Sequence, residues 1–163
     1  MKPFTLKSAL ELVKEWKDNG EKVVFTNGVF DILHLGHVTY LEAAKAEGDR
    51  LVLGLNSDES VRRLNKGPER PINPEHARAG VLMALKAIDA VVVFGDDTPL
   101  ALINALKPDV LVKGGDYDPN ETDPSKKTYM VGSTEVRALG GEVVAIPLVD
   151  GFSTTNIVRR MRD

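Results

Sequence analysis

The chain has no cysteine, which excludes disulfides and thiol catalysis and suits a reducing cytoplasm. It has only three histidines, a thin supply for a zinc centre. Long apolar runs are also missing: the longest, such as Ala90 to Phe94, are strand-sized, and the N-terminal MKPFTLKSALELV lacks a cleavable apolar segment. A soluble, cytoplasmic protein without a membrane span is therefore expected. No extended Lys/Arg run occurs, and the formal net charge is −3, which argues against a general binder of nucleic acid. A small phosphorylated substrate needs only a few cations. The 163 residues, 42% of them hydrophobic, suffice for one sizeable core, so a single domain over residues 1–163 is expected.

The most informative stretch is KVVFTNGVFDILHLGH, Lys22 to His37. It reads as a buried strand over Lys22 to Thr26, a glycine-containing loop, and a helix opening at about Gly36. A loop that leaves the carboxyl end of a strand and enters a helix lies where anionic ligands bind, because backbone N–H groups and the positive helix end converge there. Gly28 permits close approach of the backbone, and Gly36 allows tight packing beside a histidine pair. His34 and His37 flank the helix start and can hydrogen-bond one phosphate. A helix cap or surface role is the plainer reading of each. Zinc is set aside, since only His76 remains as a third nitrogen ligand.

Strand and helix then alternate along the chain. A stripe of Leu6, Ala9, Leu10, Val13 and Trp16 marks an amphipathic helix over Thr5 to Asp18, with Trp16 as core. Further helices are expected over Gly36 to Glu47, from Ser57-Asp58, over Ala77 to Ala87, Pro99 to Leu106 and Ser133 to Leu139, and after Ser153. Strands are expected over Arg50 to Asn56, Ala90 to Phe94, Asp109 to Val112 and Glu142 to Ile146. Together with the first strand these predict an α/β, Rossmann-like doubly wound fold: a five-stranded parallel sheet with helices on both faces. The NKGPERPIN segment after Leu64 is a loop. Its neighbourhood of Arg62, Arg63, Lys66 and Arg70 reads as solvated surface or as a basic flap over a triphosphate, with the former preferred for each residue singly. Asp118 to Lys127 is a polar loop, with a lid left open.

TNGVFDILHLGH resembles the H-x-G-H signature of the cytidylyltransferase-like nucleotidyltransferases, which share a Rossmann-like fold. NSDES, RPINP, LVKGGDY and DGFSTTNIV resemble, more narrowly, the adenylyltransferase half of the bacterial bifunctional heptose-phosphate kinase/adenylyltransferases of lipopolysaccharide-precursor synthesis. The likeness runs from about Val24 to Arg160. It implies transfer of AMP from ATP to D-glycero-D-manno-heptose 1-phosphate, giving ADP-heptose and pyrophosphate. Glycerol-3-phosphate cytidylyltransferase is the alternative, and a non-catalytic nucleotide-binding module is another.

On this resemblance His34, His37 and Lys45 are the catalytic candidates. Thr26, Asn27, Gly28, Phe30, Gly36, Arg78, Lys113, Gly114, Asp116, Ser153, Thr154 and Thr155 are expected to bind the nucleotide. Asp31, Lys45 and Asn56 are expected near the acceptor. Lys45 enters through its A-K-x-x-G-D segment and Arg78 through N-P-x-x-x-R; a solvated helix lysine is the plainer reading of the first. The Ser153 to Thr155 hydroxyls are helix caps in any protein, yet here they would also face triphosphate oxygens. Mg²⁺ is expected on the triphosphate rather than in a protein cage. ATP and heptose 1-phosphate are the expected small partners, with a separate or fused sugar kinase and a homo-oligomer left open.

Overall fold

The computed structural model describes residues 2–65, 67–115 and 117–162. Among these residues helix and strand alternate, apart from the consecutive α3 and α4: α1 (Leu6–Asp18), β1 (Val23–Gly28), α2 (Leu35–Ala46), β2 (Arg50–Asn56), α3 (Asp58–Arg63), α4 (Glu75–Leu82), β3 (Ala90–Phe94), α5 (Leu100–Leu106), β4 (Val110–Gly114), α6 (Ser133–Ala138), β5 (Glu142–Ile146) and α7 (Thr154–Arg162). The strands form one all-parallel sheet in the order β3-β2-β1-β4-β5. This is the expected Rossmann-like α/β architecture.

Strands buried on both faces must be apolar throughout, and alternate residues divide between two cores. Val23, Phe25, Val52 and Leu111 pack with α1, α5 and α6 through Val13, Trp16, Ile103 and Val136. Val24, Leu51, Leu53 and Val110 pack on the other face with α2 and α4 through Leu41, Ala44, Ala79 and Leu82. Trp16 is buried as expected, with the Arg50 guanidinium carbon 5.3 Å from its ring centre. At the outer edge of β3, the Phe4 N–H donates to the Val91 carbonyl (2.8 Å) and covers part of that strand. Among the described residues no helix is long and apolar enough to cross a membrane.

The helix starts follow local chemistry. Thr5 and Ser57 accept the N–H groups of Ser8 and Ser60 as N-caps. The helix expected over Ala77 to Ala87 starts earlier, at Glu75 after the Pro74 N-cap, and ends at Leu82, because residues 83–87 tighten into turns closed by Ala84 N–H to Val81 O and Leu85 N–H to Leu82 O.

Two opposite sheet ends result. At the amino end three aspartates accept N–H groups at or just before the strand starts: Asp49 from Lys22 (2.7 Å), Asp109 from Val23 (2.8 Å) and Asp89 from Leu51 (2.7 Å). At the carboxyl end the chain reverses its winding between β1 and β4, whose ladder consists of Val24 with Val110 and Phe25 with Leu111. Beyond those pairs the strands part, and a crevice opens there.

Candidate active site

The crevice is a cleft of about 610 Å³. Its floor is the end of β1 (Asn27, Gly28) and of β4 (Lys113, Gly114), and its walls include the His34 to His37 turn and the start of α7. Lys113 Nζ donates to the Asn27 side-chain oxygen and so ties the two strand ends across the crevice. A Cβ at Gly114 would sit 2.8 Å from Tyr40 Cε2 and 2.9 Å from Leu148, so only glycine leaves this floor open.

His34 is the N-cap of α2, extended at φ −145° and ψ 171°, and its Nδ1 accepts the His37 N–H at 3.3 Å. With Nδ1 used as an acceptor, the proton of a neutral ring belongs on Nε2. Burial pushes the His34 pKa below the ordinary imidazole value, favouring that neutral ring. The two imidazoles stack, with centroids 3.8 Å apart and planes 17° from parallel. Phe30 adopts a positive φ of 47°, rare for a non-glycine residue, and its ring lies 5.1 Å from His37. His34 is thus both a cap and part of the cleft wall.

The first turn of α7 lies against the same loop. Thr154 Oγ1 donates to the Ile32 carbonyl (3.3 Å), Ser153 Oγ accepts the Asn156 N–H (3.0 Å), and the Phe152 and His34 rings are 6.3 Å apart. Ser153, Thr154 and Thr155 all line the cleft, more than a hundred residues from the histidines in sequence.

Of the expected residues, the structure brings Asn27, Gly28, Phe30, Asp31, His34, Gly36, His37, Asn56, Lys113, Gly114 and Ser153 to Thr155 to one cleft. Asp116 and Lys66 lie outside the described residues. Three expected residues do not line it. Lys45 is at the far end of α2: its Nζ contacts Asp89 Oδ2 and the Asp49 carbonyl, both 2.5 Å away, at the amino end of the sheet. A crossover helix runs back antiparallel to its strands, so eight residues beyond His37 the chain has retreated about 12 Å at 1.5 Å per residue. Thr26 is fully buried in β1, its hydroxyl 2.6 Å from Tyr40 Oη.

Arg78 is buried as well, and its guanidinium is committed to structure. It donates to the carbonyls of Asn73 (2.9 Å), Val29 (2.7 Å) and Asn56 (2.9 Å) and to Asp58 Oδ1 (2.7 Å). It ties the ends of β1 and β2 to the loop before α4. Asp31 lines the cleft, but its carboxylate is occupied: it accepts the N–H groups of Ile72 and Asn73 and Arg70 Nε. Burial pushes its pKa up, yet those backbone bonds and Arg70 outweigh burial and hold it below the ordinary carboxylate value. Its carboxylate thus holds the 70–73 loop, while the residue itself lines the cleft where the acceptor contact is expected.

Sequence reasoning passed over Tyr40, Thr98, Tyr117, Tyr129, Leu148 and Phe152, all in the wall. Tyr117 and Phe152 sit inside the LVKGGDY and DGFSTTNIV segments themselves. Thr98 follows β3, so the rule that ligands gather at carboxyl strand ends would have marked it.

The cytidylyltransferase-like family model matches residues 25–160. The chain is 52% identical over 160 residues to the bifunctional protein HldE of Methylobacillus flagellatus, covering 98% of this chain and 31% of that protein. It is 56% identical over 155 residues to the bifunctional protein HldE of Mesorhizobium japonicum, covering 95% and 29%. The chain therefore spans about three tenths of the length of these relatives. Among solved structures, the lipopolysaccharide core biosynthesis protein of Thermoplasma volcanium superposes with a TM-score of 0.60 at 30% identity, covering 80% of this chain and 98% of that one. Pantothenate synthetase of Thermus thermophilus shares the fold, with a TM-score of 0.60 at 19% identity over 96% of this chain and 67% of its own.

Proposed function

Because this chain belongs to the cytidylyltransferase-like family and is a nucleotidyltransferase, we propose that it is an adenylyltransferase that joins AMP from ATP to D-glycero-D-manno-heptose 1-phosphate. The observation that carries the reading is the stacked His34/His37 pair at the start of α2, in the same cleft as Lys113 and the α7 hydroxyls. The choice of acceptor is supported by the similarity to HldE proteins and to a lipopolysaccharide core biosynthesis protein.

An oxygen of the sugar phosphate attacks the α-phosphorus in line; the new P–O bond forms as the bridge to the β-phosphate breaks, and pyrophosphate leaves with the electron pair. The attacking oxygen is already ionised, so no general base is required. What the protein must supply is position and compensation of charge. His34, through Nε2–H, and His37 donate to the transferring phosphate. Asn27, Gly28 and Gly36 shape the backbone around it, and Lys113 meets the nucleotide. Ser153 to Thr155 and the N–H groups opening α7 receive the β- and γ-phosphates.

Magnesium fits this set as a passenger of ATP. Asp31 is engaged by Arg70, and Asp97 accepts Arg63 Nε at 2.6 Å, so hydroxyls and triphosphate oxygens form the hard donor set that Mg²⁺ prefers. When bound, the ion neutralises charge on the triphosphate. A sugar kinase, fused or separate, would supply the acceptor, in keeping with the bifunctional names of the relatives.

The deciding experiment is a pyrophosphate-release panel that crosses four nucleoside triphosphates with heptose 1-phosphate, glycerol 3-phosphate and phosphocholine. ATP with heptose 1-phosphate should lead by at least tenfold, about 1.4 kcal/mol of transition-state preference. CTP with glycerol 3-phosphate in the lead would replace this reading by the cytidylyltransferase one. Nucleotide binding without release in any combination would leave a binding module.

A further inference from the structure

We propose that Arg70 holds the phosphate of the acceptor, an assignment that rests on the nucleotidyl-transfer reading and adds to it a residue that the sequence suggested was solvated surface. Arg70 closes a turn between α3 and α4, its N–H donating to the Gly67 carbonyl at 3.1 Å. Far from being solvated, its side chain is only 7% exposed, and the residue lines the cleft. Nε donates to the fully buried Asp31 carboxylate, which the Ile72 and Asn73 N–H groups hold in turn. Among the described residues nothing hydrogen-bonds Nη1 or Nη2. A guanidinium fixed through Nε keeps a preoriented pair of terminal nitrogens, the fork that matches two oxygens of one phosphate.

The anion in question follows from which side of β1 the residue occupies. Lys113 and Gly114 stand on the β4 side with Tyr117 and Leu148, an aromatic and apolar wall suited to a nucleobase. Arg70 stands with Asn56, at the end of β2, and with Asp97 and Thr98, after β3, beside Leu64 and Pro99, so this flank carries the polar groups that a polyhydroxylated phosphate needs. In-line displacement needs the attacking and leaving oxygens on opposite sides of the α-phosphorus, so acceptor and triphosphate require separate anchors. Lys113 and Arg70 are the only Lys or Arg side chains among the described residues of the wall, one for each flank. Arg70 takes no proton: it offsets charge on the acceptor phosphate while another oxygen of that phosphate attacks.

The test uses Arg70→Gln and Arg70→Lys. Inorganic phosphate is titrated calorimetrically into protein saturated with a non-hydrolysable ATP analogue, and steady-state kinetics are run with heptose 1-phosphate. Arg70→Gln should weaken phosphate binding and raise the acceptor KM at least tenfold, with analogue affinity and the ATP KM within twofold of the original. Arg70→Lys, which keeps the charge without the fork, should fall between, and it decides the matter alone if Arg70→Gln does not fold. Equal losses for both ligands, unchanged phosphate binding, or no phosphate binding by the unaltered protein would each overturn the assignment. An unaltered protein that binds phosphate yet does not turn over heptose 1-phosphate refutes only the choice of acceptor, and the phosphate titration still judges Arg70.

Discussion

Tyr40 Oη lies 2.6 Å from Thr26 Oγ1 and 3.3 Å from the Val112 carbonyl, touching β1 and β4 one residue beyond their last ladder pair. Burial pushes the phenol up to about 12, so it stays a neutral donor at every working pH. The Thr26 hydroxyl is thereby used inside the protein. Thr26→Val should cost about 1 kcal/mol in urea unfolding, the usual worth of one such bond, and leave ATP affinity within threefold. A tenfold loss of ATP affinity at unchanged stability would return Thr26 to the ligand surface.

For the histidines, cap and chemistry can be separated by substitution. Asparagine is a good N-cap, so His34→Asn should hold the melting temperature while removing the ring. His37→Ala should lower kcat about a hundredfold, close to 3 kcal/mol of transition-state stabilisation, with the fold intact by circular dichroism. Near-normal turnover in both variants would sink the proposed role of the pair.

Arg78 offers the opposite pattern. Arg78→Met leaves three carbonyls and Asp58 without their donor, a broken buried network that costs about 3 kcal/mol or more. Urea unfolding should register that loss. Selective weakening of ATP binding in a protein of unchanged stability would contradict the structural role.

The placements of Thr26 and Arg78 show how far the sequence could be read. Strand positions were legible because a parallel strand buried on both faces has to be a continuous apolar run, and Arg50 to Asn56 and Ala90 to Phe94 match residue for residue, as does the half-buried edge strand Glu142 to Ile146. The gathering of His34, His37, Lys113 and Ser153 to Thr155 was legible because all lie at or after the carboxyl ends of strands. Orientation within the loops was not: a motif fixes where Arg78 stands in the chain, whereas the carbonyls that consume its donors come from Val29 and Asn56, distant in sequence. Arg70 misled in the other direction. A Pro- and Gly-rich charged segment looks solvated until Asp31 draws it inward.

His34 also sets a pH dependence. Its folded pKa lies below 6.5, so both folded and unfolded states carry a neutral ring above that value, while below it the unfolded state takes up the proton first. Stability from this group is thus full above pH 6.5 and declines as pH falls through the folded value. Asp31, depressed from 3.8, contributes fully down to much lower pH and does not confuse the window. Urea unfolding from pH 8 to 5 should show the original protein losing stability relative to His34→Asn as acid is added. The reverse trend would mean that the folded protein favours the imidazolium.

Helix α2 is held at three points along its length: His34 caps its start, Tyr40 is bonded to two strands midway, and Lys45 meets Asp89 and Asp49 at its end. Lys45 therefore anchors the helix that carries the histidines at the end away from them. A beam pinned at both supports and at mid-span has little freedom to slide or roll, and whatever it carries at one tip inherits that stillness. The span of sequence answerable for the aim of His37 is accordingly the whole helix, and its most distant guarantor is a lysine on the opposite rim of the sheet.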